Sequence, residues 1–257
     1  MKLTLLGTGT SQGVPVIGCA CEVCLSNNSK DVRLRTAALV QSAEANIVID
    51  VGPDFRMQLL ANPIDRLDAI LLTHEHNDHV IGLDEIRPFN FRQKEAIPIY
   101  GMSRTLRELE KRFEYAFQVN QYPGSPKVKP ITITSSSNFT INDLQIQSIR
   151  VEHGKLEILG YVFNDRVGYL TDVKTIHSSE MEKLFKLDLL VINALRKEEH
   201  HSHLTLEQAI ALIQSLTPKK AVITHISHQM GLNEIIQNEL PANVLLGYDG
   251  YCWDENS

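Results

Sequence analysis

The run His74-Glu75-His76-Asn77-Asp78-His79 stands directly behind an apolar stretch, Leu67-Asp68-Ala69-Ile70-Leu71-Leu72-Thr73. Three imidazoles and the Asp78 carboxylate, crowded at the end of a strand-like run, exceed what packing requires and read as a metal site. If the chain leaves a strand at Thr73, His74 and His76 stay two residues apart and point to one side. A tighter turn then brings Asp78 and His79 round from another direction. Such a loop can serve two adjacent ions, with the paired histidines on one and Asp78 and His79 on the other. Imidazole with carboxylate suits zinc, manganese or iron. The opposing reading, a polar loop that happens to be histidine-rich, is weakened because the chain has only 10 histidines and further candidates recur at strand ends.

Apolar periodicity places strands over residues 2–6, 37–40, 46–51 and 67–73, then 97–101, 131–134 and 144–151. Further strands are expected over 159–164, 167–171, 187–193, 221–224 and 243–247. Helices are expected over 54–61, over 103–117 with Ser103 as N-cap, and from a capping box at Thr205-Leu206-Glu207-Gln208 to Leu216. Residues 118–130, rich in Pro, Gly, Ser and Lys, read as an exposed loop and the candidate lid. Two strand ends echo one another, Ile70-Leu71-Leu72-Thr73-His74 and Ala221-Val222-Ile223-Thr224-His225, which fits two sheets meeting at a shared site.

The 257 residues, 43% hydrophobic, can fill one large core, and a single domain over 1–257 is the simplest organisation. A formal net charge of −6 argues against a general polyanion binder, so nucleic acid is not the expected partner. No apolar run reaches the length of a membrane span, and the segment after Met1 is too short for a signal peptide, so a cytoplasmic protein is expected. A homodimer is admitted but not specified. Three of the four cysteines sit in Cys19-Ala20-Cys21-Glu22-Val23-Cys24, which suggests a second kind of metal site rather than a disulfide framework. A redox dithiol, an iron–sulfur fragment or inert thiols stay open on those residues alone. Cys252 is expected to be buried. Gly7-x-Gly9-x-x-x-Gly13 has the wrong spacing for a dinucleotide-binding turn and reads as a simple loop.

His74-x-His76-x-Asp78-His79, followed by His153, Asp172 and His225 at strand ends, resembles the metallo-β-lactamase-fold hydrolases over essentially the whole chain. The resemblance implies an α+β fold, a four-layer αββα sandwich with two metals at one edge. His74, His76 and His153 would hold one ion, Asp78, His79 and His225 the other, with Asp172 bridging. Asp50, in Ile49-Asp50-Val51-Gly52, matches the family's strand-end aspartate, which orients a ligand histidine. The cysteine cluster, taken with Thr224-His225-Ile226-Ser227-His228-Gln229, closely resembles the PhnP group of cyclic-phosphate phosphodiesterases. That likeness implies a structural zinc on Cys19, Cys21, Cys24 and His228, and three thiolates with one imidazole do make a closed tetrahedral site.

His203, in His200-His201-Ser202-His203-Leu204-Thr205, matches the histidine that serves the PhnP group as general acid, so Asp78 and His203 are the catalytic candidates. His200 and His201 read as a solvated loop and His177 as surface. Lys155 matches a lysine of the group that faces substrate phosphate, and Arg33, Arg35 and Arg87 are weaker candidates for anion contact. The implied activity is a dinuclear phosphodiesterase with two zinc or manganese ions, acting on a small cyclic or simple phosphate diester by attack of a metal-bridged hydroxide. Two other readings stay in view. One is a tRNA 3′-processing endonuclease, although its flexible basic arm has no counterpart here. The other is a non-catalytic accessory protein of the coenzyme-PQQ biosynthesis type. Segments 82–91 and 103–130 depart from PhnP itself, so the substrate is the least constrained part of the reading.

Overall fold

An unbroken apolar run such as Leu189-Leu190-Val191-Ile192 is satisfied only where both faces of a strand are covered. A computed structural model, describing residues 1–118 and 120–256, covers them with two sheets packed face to face and a helical layer outside each. The first sheet contains β1 (Lys2–Gly7), β2 (Ala37–Gln41), β3 (Asn46–Ile49), β4 (Ala69–Leu71), β5 (Ile97–Gly101) and β6 (Val128–Thr132). The second contains β7 (Asn138–Ile141), β8 (Leu144–His153), β9 (Leu156–Phe163), β10 (Val167–Leu170), β11 (Thr175–Ile176), β12 (Leu189–Asn193), β13 (Lys220–Thr224) and β14 (Val244–Leu246). A last strand, β15 (Cys252–Asp254), returns to the first sheet beside β1. The spatial orders are β15-β1-β2-β3-β4-β5-β6 and β11-β8-β9-β10-β12-β13-β14, with β7 on the flank of β8.

The alternation of side chains decides which layer each residue joins. Ile47, Ile49, Leu189 and Val191 point between the sheets, with Tyr161 and Tyr169 among the largest fully buried groups there. Their neighbours Val48, Leu190 and Ile192 point outward. On the outer face of the first sheet lie α1 (Phe55–Ala61), α2 (Asn77–Val80), α3 (Arg87–Gln93), α4 (Ser103–Arg112) and α5 (Glu114–Phe117). The second sheet carries α6 (Ser178–Met181), α7 (Leu206–Leu216) and α8 (Asn233–Glu239). This is the α+β, αββα arrangement expected. Among the described residues no helix is long and apolar enough to cross a membrane.

Several local expectations needed correction. The helix expected over 103–117 is broken at Phe113, where the backbone leaves helical geometry, and its N-cap position is Met102 rather than Ser103. The expected loop 118–130, whose Val119 lies outside the described residues, is cut short because Val128–Thr132 pairs in parallel with β5. The Asn90 side chain brackets Lys127, donating to its carbonyl at 2.8 Å and accepting from its N–H at 2.9 Å, and so steers the chain into that pairing. Pro130 is tolerated because β6 is an edge strand. Cys252 is exposed, not buried. It sits on edge strand β15 between Tyr251 and Trp253, and since those two face the core between the sheets, the alternation turns Cys252 away. The capping box at Thr205 and Gln208 is present with both reciprocal bonds.

Strand direction determines where the polar strand ends collect. Pairs β3–β4, β10–β12 and β12–β13 are parallel, and β8 runs the same way as β10 because β9 is antiparallel to both. The chain therefore exits toward Asp50, His74, His153, Asp172 and His225 at one edge of the sandwich. Bonds between the sheets close that edge: Leu159 N–H donates to Thr73 O at 3.0 Å and the Tyr161 hydroxyl to Leu72 O at 2.6 Å.

Candidate active site

At this edge Asp50, Asp172 and His225 all adopt left-handed backbone, with φ of 63°, 59° and 53°. Such conformations cost non-glycine residues on the order of 1–3 kcal/mol each, and their concentration at three strand ends marks a site whose geometry is maintained for a purpose other than stability. Two glycines make the turn possible. A Cβ on Gly52 would stand 2.0 Å from the Asp78 carbonyl oxygen, and one on Gly82 would stand 2.0 Å from that of Gly52.

Buried Asp50 organises the inner wall. Its carboxylate accepts from Thr73 N–H at 2.8 Å, from the Thr73 hydroxyl at 2.8 Å and from His79 Nδ1 at 2.7 Å. With the Thr73 hydroxyl committed to Asp50, His74 Nδ1, 3.0 Å away, is the donor to that oxygen. His153 Nδ1 donates to Ser202 O at 2.8 Å. These bonds assign a proton to Nδ1 in His74, His79 and His153 and leave Nε2 as the ligand atom of each ring, that of His74 lying 2.9 Å from His76 Nδ1.

These ligand atoms converge. Ligand atoms of His74, His76 and His153 lie within 4.8 Å of one another, as do those of Asp78, His79 and His225, and those of His74, His79 and Asp172. His153, Asp172 and His203 form a further such group. Asp172 thus groups with His74 and His153 of one set and with His79 of the other, and its Oδ2 is 3.4 Å from His79 Nε2 and its Oδ1 3.1 Å from His225 Nε2. His79 Nε2 is 3.2 Å from Asp78 Oδ2, yet it makes no hydrogen bond there or to Asp172, and both ring nitrogens of buried His225 are likewise without hydrogen-bond partners. Buried imidazole nitrogens left unpaired beside two carboxylates are expensive unless a cation completes them. The donor set thus fits divalent ions such as zinc or manganese.

Electrostatics point the same way. Burial pushes Asp78 and Asp172 upward, but His79 and His225 outweigh it and hold both carboxyls below the usual carboxylate range. Burial depresses His79, and Asp78, Asp172 and Asp50 overcome that and raise it well above 6.5. In the metal-free chain a proton on His79 occupies the place of a cation. Burial and the neighbouring His79 keep His74 well below 6.5, so it stays neutral and ready to ligate. His203 Nδ1 is buried and unpaired, 3.9 Å from Asp172 Oδ1, and burial together with His225 brings it down to about 2.

A second cluster lies three residues beyond His225. Cys19, Cys21 and Cys24 Sγ stand 3.3, 3.4 and 3.5 Å from His228 Nδ1. The Cys24 backbone and His228 hold Cys21 down to about 6, whereas burial pushes Cys24 up to about 11. Thr10 N–H donates to Ile226 O at 3.1 Å, and Ile226 N–H to Thr8 O at 2.8 Å, tying the N-terminal loop to the segment that carries both His225 and His228.

Residues 45–226 match the family described as beta-lactamase superfamily domain. A solved diphosphatase of the PhnP family has a TM-score of 0.91 to this chain at 38% sequence identity, covering 98% of this chain and 96% of that one. This chain belongs to the PhnP family. It accordingly has the metallo-β-lactamase fold. An octanoyltransferase of Porphyromonas gingivalis is 42% identical over 97% of this chain, which spans about half (51%) of that protein's length. Zinc-bound PqqB from Methylobacterium extorquens shares the fold, with a TM-score of 0.80 at 18% identity and coverage of 99% and 100%.

Within this PhnP-family chain the basic candidates separate. Arg33 is buried and donates to the Thr8 hydroxyl at 2.9 Å and to the Gly247 carbonyl, so it is a core residue and not an anion contact. Arg35 pairs with Asp54 at 3.2 Å and Arg87 with Asp84 at 2.6 Å. Lys155 is exposed at the hairpin tip beside His153. His177 is partly exposed and bonded to Glu152 at 2.8 Å. Two supporting residues escaped the sequence reading. Thr73 links Asp50 to His74, and Asn193 brackets Val173 with bonds of 2.6 and 3.1 Å, fixing the turn after Asp172. Asn193 had a signal, a polar residue closing an otherwise apolar run, the same pattern that marks Asp50 and Asp172.

Proposed function

We propose that the protein is a two-cation phosphodiesterase that hydrolyses small cyclic or simple phosphate diesters. The observation that carries this reading is the convergence of His74, His76, His153, Asp78, His79, Asp172 and His225, of which His79 and His225 have buried nitrogens without a hydrogen-bond partner. Bound there, two zinc or manganese ions would supply Lewis acidity to a phosphoryl oxygen and lower the pKa of an attacking water toward neutrality. His74, His76 and His153 would hold one ion and Asp78, His79 and His225 the other, with Asp172 available to both. Ionised Asp78 and Asp172 balance the positive charge, and Asp50 fixes the His79 ring. Cys19, Cys21, Cys24 and His228 would hold a structural zinc, which would anchor the His225 segment.

His203 completes the site as the acid for the leaving alkoxide. Neutral in the metal-free chain, it would take up a proton as the phosphate anion arrives, because the opposite charge favours the imidazolium, and pass that proton to the departing alkoxide. Lys155, exposed at the hairpin tip beside His153, would face the same anion. A diphosphate substrate is the second reading, favoured by the PhnP-family diphosphatase. The two readings differ in what they ask of His203, since an alkoxide must be protonated as it leaves whereas phosphate is a competent leaving group by itself. A formal charge of −6 does not favour precursor tRNA.

The test is hydrolysis of bis-(p-nitrophenyl) phosphate, a 2′,3′-cyclic nucleotide, a dinucleoside diphosphate and precursor tRNA by wild type and His203→Gln. Diesters should be cleaved, with a loss of about 10²–10⁴-fold in the variant on the 2′,3′-cyclic nucleotide, whose alkoxide needs a proton, and a small loss on bis-(p-nitrophenyl) phosphate, whose nitrophenolate leaves unaided. Cleavage of the diphosphate alone, barely changed in the variant, would favour the second reading. Metal binding without turnover on any of them would leave an accessory protein.

A further inference from the structure

Glu75 lies between His74 and His76, but its side chain turns to α4. The carboxylate accepts from Arg104 Nε at 2.7 Å, Arg104 Nη2 at 3.3 Å and the Thr105 hydroxyl at 3.0 Å, while Arg112 donates to the Glu75 carbonyl. Arg104 Nη2 also donates to the Glu157 carbonyl at 2.6 Å. Glu157 pairs with Glu152 in the β8–β9 hairpin, one step from the His153–Leu156 pair. One guanidinium therefore joins the two backbone segments that carry His74, His76 and His153. The other ligand set is held by different means: His79 by Asp50 and by Val51 N–H on its carbonyl at 2.7 Å, and the His225 segment by Ile226 N–H on Thr8 O at 2.8 Å.

We infer that Arg104 is a positioning residue that sets cation affinity at the His74–His76–His153 site and leaves the Asp78–His79–His225 site unchanged. This rests on the two-cation reading above. The role needs the planar fork of arginine, because two nitrogens must reach Glu75 while one of them also reaches the Glu157 carbonyl. Lysine keeps the charge and loses that geometry. The pair is partly exposed, with Arg104 37% and Glu75 13% accessible, so its removal has little effect on overall stability.

The test is stepwise titration of metal-stripped wild type, Arg104→Ala, Arg104→Lys and Glu75→Gln with cobalt(II). The cysteine cluster is kept filled with zinc, and binding is followed by visible absorption and chelator competition. Wild type should bind two cobalt ions. In Arg104→Ala and Glu75→Gln one step should weaken by about 10–100-fold while the other stays within about twofold, and Arg104→Lys should recover only part of the loss. Equal weakening of both steps, or no weakening of either, overturns the inference. Should wild type itself fail to bind two ions, the two-cation reading falls and this inference falls with it. Glu75→Gln keeps side-chain volume and serves if Arg104→Ala does not fold.

Discussion

Asp50→Asn isolates the claim that the His79 ring is aimed by a buried carboxylate. Asp50 is an acceptor only and takes three donors: Thr73 N–H at 2.8 Å, the Thr73 hydroxyl at 2.8 Å and His79 Nδ1 at 2.7 Å. Asparagine fills the same volume but offers one oxygen and one NH2 group. If its oxygen takes the Oδ2 place, its NH2 meets Thr73 N–H, which loses its acceptor; in the flipped orientation the Thr73 hydroxyl and His79 Nδ1 both lose theirs. At least one buried donor is orphaned either way, at about 1–3 kcal/mol each. Carried into cation binding, that is a loss of about 10–100-fold at the His79 site, the range expected when the partner orienting a ligand histidine is removed. Chelator-competition titration reads the affinity, and thermal melting of the metal-free protein reads the stability. An Asp50→Asn protein with affinity within about twofold of wild type and an unchanged melting temperature would refute the reasoning, because three bonds to one buried carboxylate would then be doing nothing.

Three further outcomes follow from the same geometry. In Gly52→Ala the new Cβ would collide with the Asp78 carbonyl 2.0 Å away, so the loop must shift; overpacking of this kind costs about 1–3 kcal/mol, visible in urea unfolding, and cation affinity should fall as well. Cys24→Ser should remove the zinc on the cysteine cluster while the histidine–aspartate site retains its ions, as metal analysis of the purified variant would report. His79 carries a raised pKa in the metal-free chain, and a cation must displace that proton. Affinity therefore climbs with pH, about tenfold per unit for each proton released, until the raised pKa is passed. The same shift stabilises the metal-free fold fully below about pH 6.5, and that contribution is lost as pH rises through the folded value. Calorimetry in buffers of different ionisation enthalpy counts the protons.

The parts of this architecture legible in the sequence are those written in local pattern. Apolar runs on β3, β4, β12 and β13 announce strands covered on both faces, and the polar residues that follow three of them, Asp50, His74 and His225, announce the edge where the site forms. The Thr205–Gln208 capping box was equally plain because its bonds are local. What the sequence withheld depends on distant partners. Val128–Pro130 joins the sheet because Asn90 grips Lys127, and Cys252 is exposed because β15 is an edge strand added at the end of the chain. Arg33 reads in the sequence as a weak candidate for anion contact, and only the distant Thr8 and Gly247 make it a core residue. Arg104 gave no local signal at all, since its two partners are 29 and 53 residues away.

The central claim is that turnover requires both ion positions at the strand edge. Metal-stripped protein with its cysteine cluster filled should be titrated with manganese(II) or zinc while hydrolysis of bis-(p-nitrophenyl) phosphate is followed. The account predicts that activity reaches its maximum only as the second equivalent binds, and that Asp172→Ala, which removes the carboxylate grouped with residues of both sets, abolishes it. Full activity at one equivalent, or two bound ions with no cleavage of any phosphate ester or anhydride, would contradict it.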